Sequence, residues 1–512
     1  MNKGKELKWG VMLSYAQMVL HILIGVIYTP IMIRLLGQSE YGLYNTVAST
    51  IAMLSILNLG FSSGYVRYYA RYRQAGEQEN IYRLNGLFMI IFSIIGVVAL
   101  VCGLFLTNHL NIVFKDGLTA NEYGTAKILM LLMTINMALS FPMSVLGTII
   151  NANERFVFLK LIDMINTVVG PMVNLPLLLM GYRSIVLVVS SLVFSLITAG
   201  INGYYVIKRL GNKFRFDGID RDLFNNLLTY TAFIAINLIV DQINTSIDKV
   251  LLGRYKGTSV VAVYAVGMTI YTYYMTISTS VSGVFTPRIH RIYNENPDKT
   301  HRNRELTELL IRVGRIQFLI LMLICSGFII FGRSFIRFWA GDGYQDSYFV
   351  ALILMIPASV PLIQNLGIEI QRAANKHQFR SLVYLSMAIC NLILTIYLCQ
   401  IYGAIGAATG TGLSLLLANG IIMNIYYHKK IGLNMLLFWH HILRSFLGMV
   451  PAFIVGFILY TNVSIQSVLS MLALIMLYIV AYSLSVWFFS MNEYEKDLVR
   501  AVIRKATHVG NG

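Results

Sequence analysis

Long apolar runs separated by short polar segments dominate this chain, and they limit the solvent it can fold in. A helix needs about 20 mostly apolar residues to cross the hydrocarbon core of a bilayer. Such runs predict spans near 10–33, 41–63, 84–107, 124–150, 157–180, 184–207, 223–252, 258–284, 309–332, 347–370, 381–400, 403–427, 441–460 and 465–490. The expected fold class is an all-α integral membrane protein with fourteen transmembrane helices. Between 157–180 and 184–207 only Gly181, Tyr182 and Arg183 mark a turn. Charged residues make up 12% of the chain, about half the share of a soluble domain. That is too few to coat a water-soluble body of this size.

The formal charge of +17 invites a nucleic-acid partner. Placement argues against one, because the basic residues sit in short segments between apolar runs. With the N-terminus inside, 31 of the 40 Lys and Arg fall on the inner side. The positive-inside rule expects that bias, and one helix more or fewer would scramble it. The expected protein is multi-pass in the cytoplasmic (plasma) membrane, with both termini cytoplasmic. The stretch from Trp9 to Ile33 follows Lys3, Lys5 and Lys8 but is too long for a signal-peptide core, so it reads as a retained first helix. The inner segment 65–83 places tyrosines beside arginines, which suits either the headgroup region or simple topology marking. Cys102, Cys325, Cys390 and Cys399 lie in apolar runs with no metal spacing. No phosphate-loop motif is present, so ATP hydrolysis is not expected.

The chain also repeats itself. Leu35-Leu36-Gly37 returns as Leu251-Leu252-Gly253, and Tyr44 as Tyr264. Asn153 to Phe156 matches Asn375 to Phe379, and Tyr204-Tyr205 before Lys208-Arg209 matches Tyr426-Tyr427 before Lys429-Lys430. Six helices per copy give a parallel repeat, one of the transporter symmetries. The expected organisation is an N-terminal six-helix lobe (1–207), a cytoplasmic linker (208–222) and a C-terminal six-helix lobe (223–430). Helices 13 and 14 with a cytoplasmic tail complete it (431–512).

A charged side chain in mid-membrane costs about 2.5–3.5 kcal/mol on insertion scales, so it should face protein or water. The seventh span holds Asn237, Asp241, Asn244 and Asp248 at spacings of 4, 3 and 4, on one helical face. Lys249 lies about 100° away. These residues read as the wall of a wet cavity or as a buried polar seam. The first span carries Ser14, Gln17, His21, Gly25 and Tyr28 on one face. His21 can titrate near neutral pH or simply be hydrogen-bonded. Arg34 ends that span, where it can snorkel. The tenth span contains Pro357, Pro361, Gln364 and Asn365, which suits a bent, gating helix. Glu369 and Arg372 follow as a gating pair or an interfacial pair. Asp163, Asn166, Gly170 and Asn174 form a weaker stripe on the fifth span.

At these residues the chain resembles the oligosaccharide flippases of polysaccharide biosynthesis, in the superfamily that also holds the multidrug and toxin exporters. The resemblance rests on the stretch Tyr28 to Tyr44, in which Arg34, Leu36-Gly37 and Glu40-Tyr41-Gly42 match the family pattern. Asp248 to Gly253 with Tyr264, and Gly403 to Ala407, are also similar. The resemblance implies two six-helix lobes around a central cavity, working by alternating access. The implied cargo is an undecaprenyl-diphosphate-linked oligosaccharide, moved from the inner to the outer leaflet. It also implies a cationic cavity, for which His21, Arg34, Lys249 and Arg372 are the candidates. Asp241 and Asp248 fit anion binding poorly and suit coupling to H⁺ or Na⁺. Expected partners are the polyprenyl-diphosphate-linked glycan, membrane lipids, and a polysaccharide polymerase and glycosyltransferases of the same process. No cofactor or metal is expected. The alternative is a cation-coupled drug or metabolite exporter of the same fold. A membrane enzyme would need a large outer loop bearing an acid–base pair, and the outer loops near 108–123 and 333–346 offer none.

Overall fold

The computed structural model describes residues 3–115, 118–217, 221–283, 285–295, 297–376 and 378–509. Residues 218–220 of the expected linker lie outside the described residues. Every regular element among the described residues is helical. Eleven helices are long and apolar enough to cross a membrane, or up to twelve when one bent pair counts as a single span. The chain divides by packing into two compact units.

The first unit comprises Met1–Ala265 and Ala388–Ala407. It holds α1 (Lys3–Leu36), α2 (Gln38–Ala52), α3 (Phe61–Ala75), α4 (Gln78–Asn108) and the short α5 (Leu110–Phe114). It continues with α6 (Ala120–Ala152), α7 (Phe156–Leu179), α8 (Arg183–Tyr204), α9 (Arg221–Tyr255) and the first turns of α10 (Thr258–Gly283). The predicted turn between the fifth and sixth spans is present: Gly181 and Arg183 both take positive φ, 88° and 52°. By packing, α9 lies with α2 and α3 in this unit, whereas the sequence repeat opens its second copy with the same segment. Duplication and packing are separate properties of the chain.

Segment 65–83 reads as an amphipathic loop in the sequence, but the structure makes its first part a helix. α3 follows α2 after a tight stretch ending at Leu59 and Gly60. Its tyrosines turn inward: Tyr65 donates to Asn85 Oδ1 at 2.6 Å, and Tyr69 to Asn153 Oδ1 at 2.7 Å. Arg67, Arg71 and Arg73 stay exposed on the same helix. A buried hydroxyl without a partner would be costly, and the two asparagines supply the partners.

The Arg34–Gly42 stretch builds a junction. Gly37, at φ 77°, joins α1 to α2. Glu40 Oε1 accepts from the backbone N–H of Ser184 at 2.7 Å and from its hydroxyl at 2.6 Å. A carboxylate is favoured there, at the positive end of the α8 dipole. Ser39 bonds to Glu122 and lies 3.1 Å from the Thr258 hydroxyl. A Cβ on Gly42 would overlap the carbonyl oxygen of Thr258, so glycine there lets α2 approach the start of α10 closely.

The second unit comprises Val266–Met387 and Ala408–Gly512. It holds α11 (Thr286–Glu295), α12 (Lys299–Trp339), α13 (Ser347–Ile363), α14 (Asn365–Ala373) and the two ends of α15 (Gln378–Leu415). After them come α16 (Met423–Tyr426), α17 (Met435–Leu447), α18 (Val450–Asn462), α19 (Val468–Phe489) and α20 (Glu493–Val509). At 41 residues, α12 starts ten residues before the predicted span, because its polar first turns are helical without being apolar. α13 and α14 meet at 41°, just beyond Pro361. Gly403, at φ 58°, breaks α15 between the two spans predicted at 381–400 and 403–427.

A buried ion pair pins the last helix of this unit. Arg315 Nε donates to Glu495 Oε1 at 2.6 Å and Nη2 to Oε2 at 2.9 Å. Nη2 also donates to the Ser490 carbonyl at 2.8 Å. Both side chains are buried, so the pair is desolvated and bidentate.

Candidate functional site

A cavity with several polar side chains in its wall lies among α6, α7 and α8 of the first unit. Its volume is about 510 Å³, inside the range of about 300–1,000 Å³ typical of small-molecule sites. The helices build it by facing their polar sides inward. On α8, Val189, Val193, Leu196 and Ile197 are exposed, while Ser190, Ser191, Thr198 and Asn202 line the cavity. On a helix with 3.6 residues per turn, Ser191, Thr198 and Asn202 lie opposite the exposed set, and Ser190 lies at its edge, about 20° from Ile197. On α7, Leu161, Ile165 and Met172 are exposed, and Asn166, Gly170 and Asn174 face the cavity. α6 adds Ser140 and Ser144. Apolar side chains on the outer faces suit a bilayer, and the polar side chains of these helices gather on the inner side.

Many of the lining groups are fixed. Asn166 Nδ2 donates to Thr198 Oγ1 at 3.0 Å, and the Ser190 hydroxyl donates to Asn174. Ser140 and Ser144 donate back to the carbonyls of Met137 and Phe141, which leaves their oxygens able to accept. Asn202 is different: it is 8% exposed, and its Oδ1 accepts no hydrogen bond from any described residue. An unmet buried amide oxygen costs about 1–3 kcal/mol. No lining residue of this cavity is ionisable.

A second hollow of about 340 Å³ shares Ser144 and Gly147 with the first and is lined further by Lys160 and Asp163. Lys160 Nζ donates to Gln17 Oε1 at 3.1 Å, which ties α1 to α7. His21, one turn beyond Gln17, is exposed. The exposed apolar stripe of α1, Val19, Leu23 and Ile27, lies on the other side of the helix, since residues two apart differ by about 200°.

The remaining sequence candidates are dispersed. Asn237 and Asp241 are exposed on α9, and Asn244 and Lys249 are half-buried. Asp248 is buried and accepts from the Tyr264 hydroxyl at 2.5 Å. The same-face spacing of the row is real, but its environment changes along the helix. The chain turns back at Gly257, φ 86°, and α10 carries Tyr264 onto Asp248. Arg34 is exposed at the end of α1. In the second unit Pro357 is buried and Pro361 half-buried, just before the bend at Gln364. Glu369 and Arg372 form an ion pair at 2.7 Å.

Sequence comparison adds the identity of the whole. The model of the polysaccharide biosynthesis protein family matches residues 8–293, more than half of the chain. The chain belongs to that family. A Shigella flexneri protein described as an O-antigen transporter is 20% identical to this family member over 409 residues, covering 77% of this chain and 91% of that protein. Among solved structures, the lipid II flippase MurJ in an inward closed conformation superposes with a TM-score of 0.72 at 16% identity, over 96% of this chain and all of MurJ. A Vibrio cholerae MATE transporter, VcmN in a bent form, gives 0.54 at 14% identity, over 84% of this chain and 98% of VcmN. This member of the polysaccharide biosynthesis family is thus a multi-pass membrane protein with a transporter fold, and not an enzyme.

Proposed function

We propose that this protein translocates an undecaprenyl-diphosphate-linked oligosaccharide from the inner to the outer leaflet of the cytoplasmic membrane, by alternating access, for surface polysaccharide synthesis. The observation that carries the reading is the cavity among α6, α7 and α8, whose wall gathers hydroxyls and side-chain amides between helices whose outer faces are apolar. A glycan needs such a refuge in a bilayer, while a prenyl chain does not. Family membership and the O-antigen transporter relative support the cargo class.

On this reading the chain spans the membrane fourteen times, with both termini cytoplasmic. The helical stretch Gln378–Ile431 is 54 residues long, about 80 Å at 1.5 Å per residue, so it serves as two spans divided at Gly403. α9 is long enough to add another despite Asp241, Asp248 and Lys249. Lys160, Gln17 and His21 are the proposed contacts for the charged part of the cargo. The glycosyltransferases that load the lipid and the polymerase that uses it are the expected partners.

The test is deletion in the host. Lipid-linked glycan should accumulate on the inner leaflet and surface polysaccharide should be lost. Unchanged surface polysaccharide in the deletion strain would exclude the reading. The exposed Asp241 favours a second one, an H⁺- or Na⁺-coupled exporter. Gradient-driven uptake of a soluble cationic dye into proteoliposomes, abolished by Asp241→Asn, would select it.

A further inference from the structure

The cavity among α6, α7 and α8 has a chemistry narrower than transport in general. Its polar lining consists of amides and hydroxyls, with no carboxylate, ammonium, guanidinium or imidazole. A bound cation or diphosphate would lose its hydration there with no opposite charge to offset it, a large cost in a low-dielectric site. A flat cationic drug would want an aromatic cage, and Phe194 is the single aromatic residue in the lining. Polyhydroxyl groups fit instead, because each hydroxyl both donates and accepts. Asn202, 8% exposed, is part of the same lining and adds a third side-chain amide to those of Asn166 and Asn174. There is also room: a Cβ on Gly147 or on Gly170, both in the lining, would meet nothing within 4 Å.

We infer that this cavity is the subsite for the uncharged sugar part of the cargo, with Asn202 as a specificity-determining residue in its wall. The inference rests on the flippase reading, and it separates the cargo into parts. The sugar enters the neutral cavity, while the diphosphate stays outside it, on the side where Lys160 and Gln17 meet. A site built around hydrogen bonds to hydroxyls discriminates strongly against a ligand that lacks them, because its own polar groups then go unpaired.

The experiment uses the full-length protein in lipid nanodiscs and three probes. These are undecaprenyl diphosphate, the undecaprenyl-diphosphate-linked oligosaccharide extracted from the host's own membranes, and the oligosaccharide released from it by mild acid. Wild type should bind the linked glycan at least about tenfold more tightly than the bare diphosphate, a gap of about 1.4 kcal/mol. Asn202→Ala should close most of that gap and leave the bare diphosphate unchanged. Gly170→Leu, whose Cβ would meet nothing within 4 Å and whose longer side chain takes up cavity space, should do the same and abolish competition by the free oligosaccharide. Melting temperatures within a few degrees of wild type identify folded variants. Two folded variants that still bind the linked glycan like wild type would overturn the inference. Equal weakening toward both lipids would also overturn it, since the cavity would then hold the carrier. A wild type that binds both lipids equally sinks the sugar subsite and leaves the flippase reading standing. A wild type that binds neither lipid sinks both.

Discussion

Two polar regions of this protein differ in both composition and accounting. Around Arg315 in the second unit, the guanidinium meets both oxygens of Glu495 and the carbonyl of Ser490. The first unit's cavity contains an asparagine acceptor with no partner among the described residues. The satisfied cluster binds its own chain, with most of its donors and acceptors already engaged. The unsatisfied one keeps capacity in reserve. Burial of polar groups alone therefore does not mark a functional site; a gathering of neutral polar side chains around open space does.

The sharpest way to break that comparison is to damage the satisfied cluster. Arg315→Met leaves Glu495 as a buried, uncompensated charge and should destabilise the protein by about 3–5 kcal/mol. The double variant Arg315→Met with Glu495→Met should recover most of that loss, because it removes both charges together. Thermal unfolding in detergent reads both. A single variant with wild-type stability would show that the pair is not desolvated as described. Asn202→Ala should behave in the opposite way, keeping stability and losing ligand.

Glycine gives a second contrast between a filled place and an open one. A Cβ at Gly42 would overlap the Thr258 carbonyl, so Gly42→Ala should cost about 1–3 kcal/mol as an overpacked contact. At Gly170 the same substitution meets open space and should gain up to about 1 kcal/mol from helix propensity. Melting temperatures should therefore move in opposite directions. If both variants melt alike, the close approach at Gly42 is wrong.

Parts of this were legible in the sequence. The apolar runs give nearly every long helix, because the bilayer imposes a length. The breaks at Gly181 and Gly403 lie where the runs are punctuated. The α7 stripe of Asp163, Asn166, Gly170 and Asn174 was visible from its spacing alone. Its companions on α6 and α8 were not. Serine and threonine are common in membrane helices, where they bond back to carbonyls a turn earlier, as Ser140 and Ser144 do. Only their convergence in space separates Ser190 and Asn202 from ordinary filler. The Gln17–Lys160 contact joins residues 143 apart, and Arg315–Glu495 joins residues 180 apart, distances over which no local pattern carries information. The Asn237–Asp248 row was legible as a face. Its division into an exposed half and a bonded end depends on how α10 folds back.

The smallest expected effect tests the exposed counterpart of the buried carboxylate. Asp298 caps α12, and its oxygens accept from the backbone N–H groups of Thr300 at 3.0 Å and His301 at 3.1 Å. Those hydrogen bonds hold its carboxyl below the usual value. A folded-state value lower than the unfolded one means that the cap stabilises above the ordinary carboxylate range, about 3.9. That stabilisation is then lost as pH falls through the folded value. Amide protection at Thr300 and His301, corrected for intrinsic exchange, should therefore be high near neutral pH and drop in acid. Asp298→Ala should lack it at every pH, whereas Asp298→Asn, which caps without titrating, should hold it in acid too. Wild-type protection that does not change with pH would mean that the ionised Asp298 carboxylate does not cap α12.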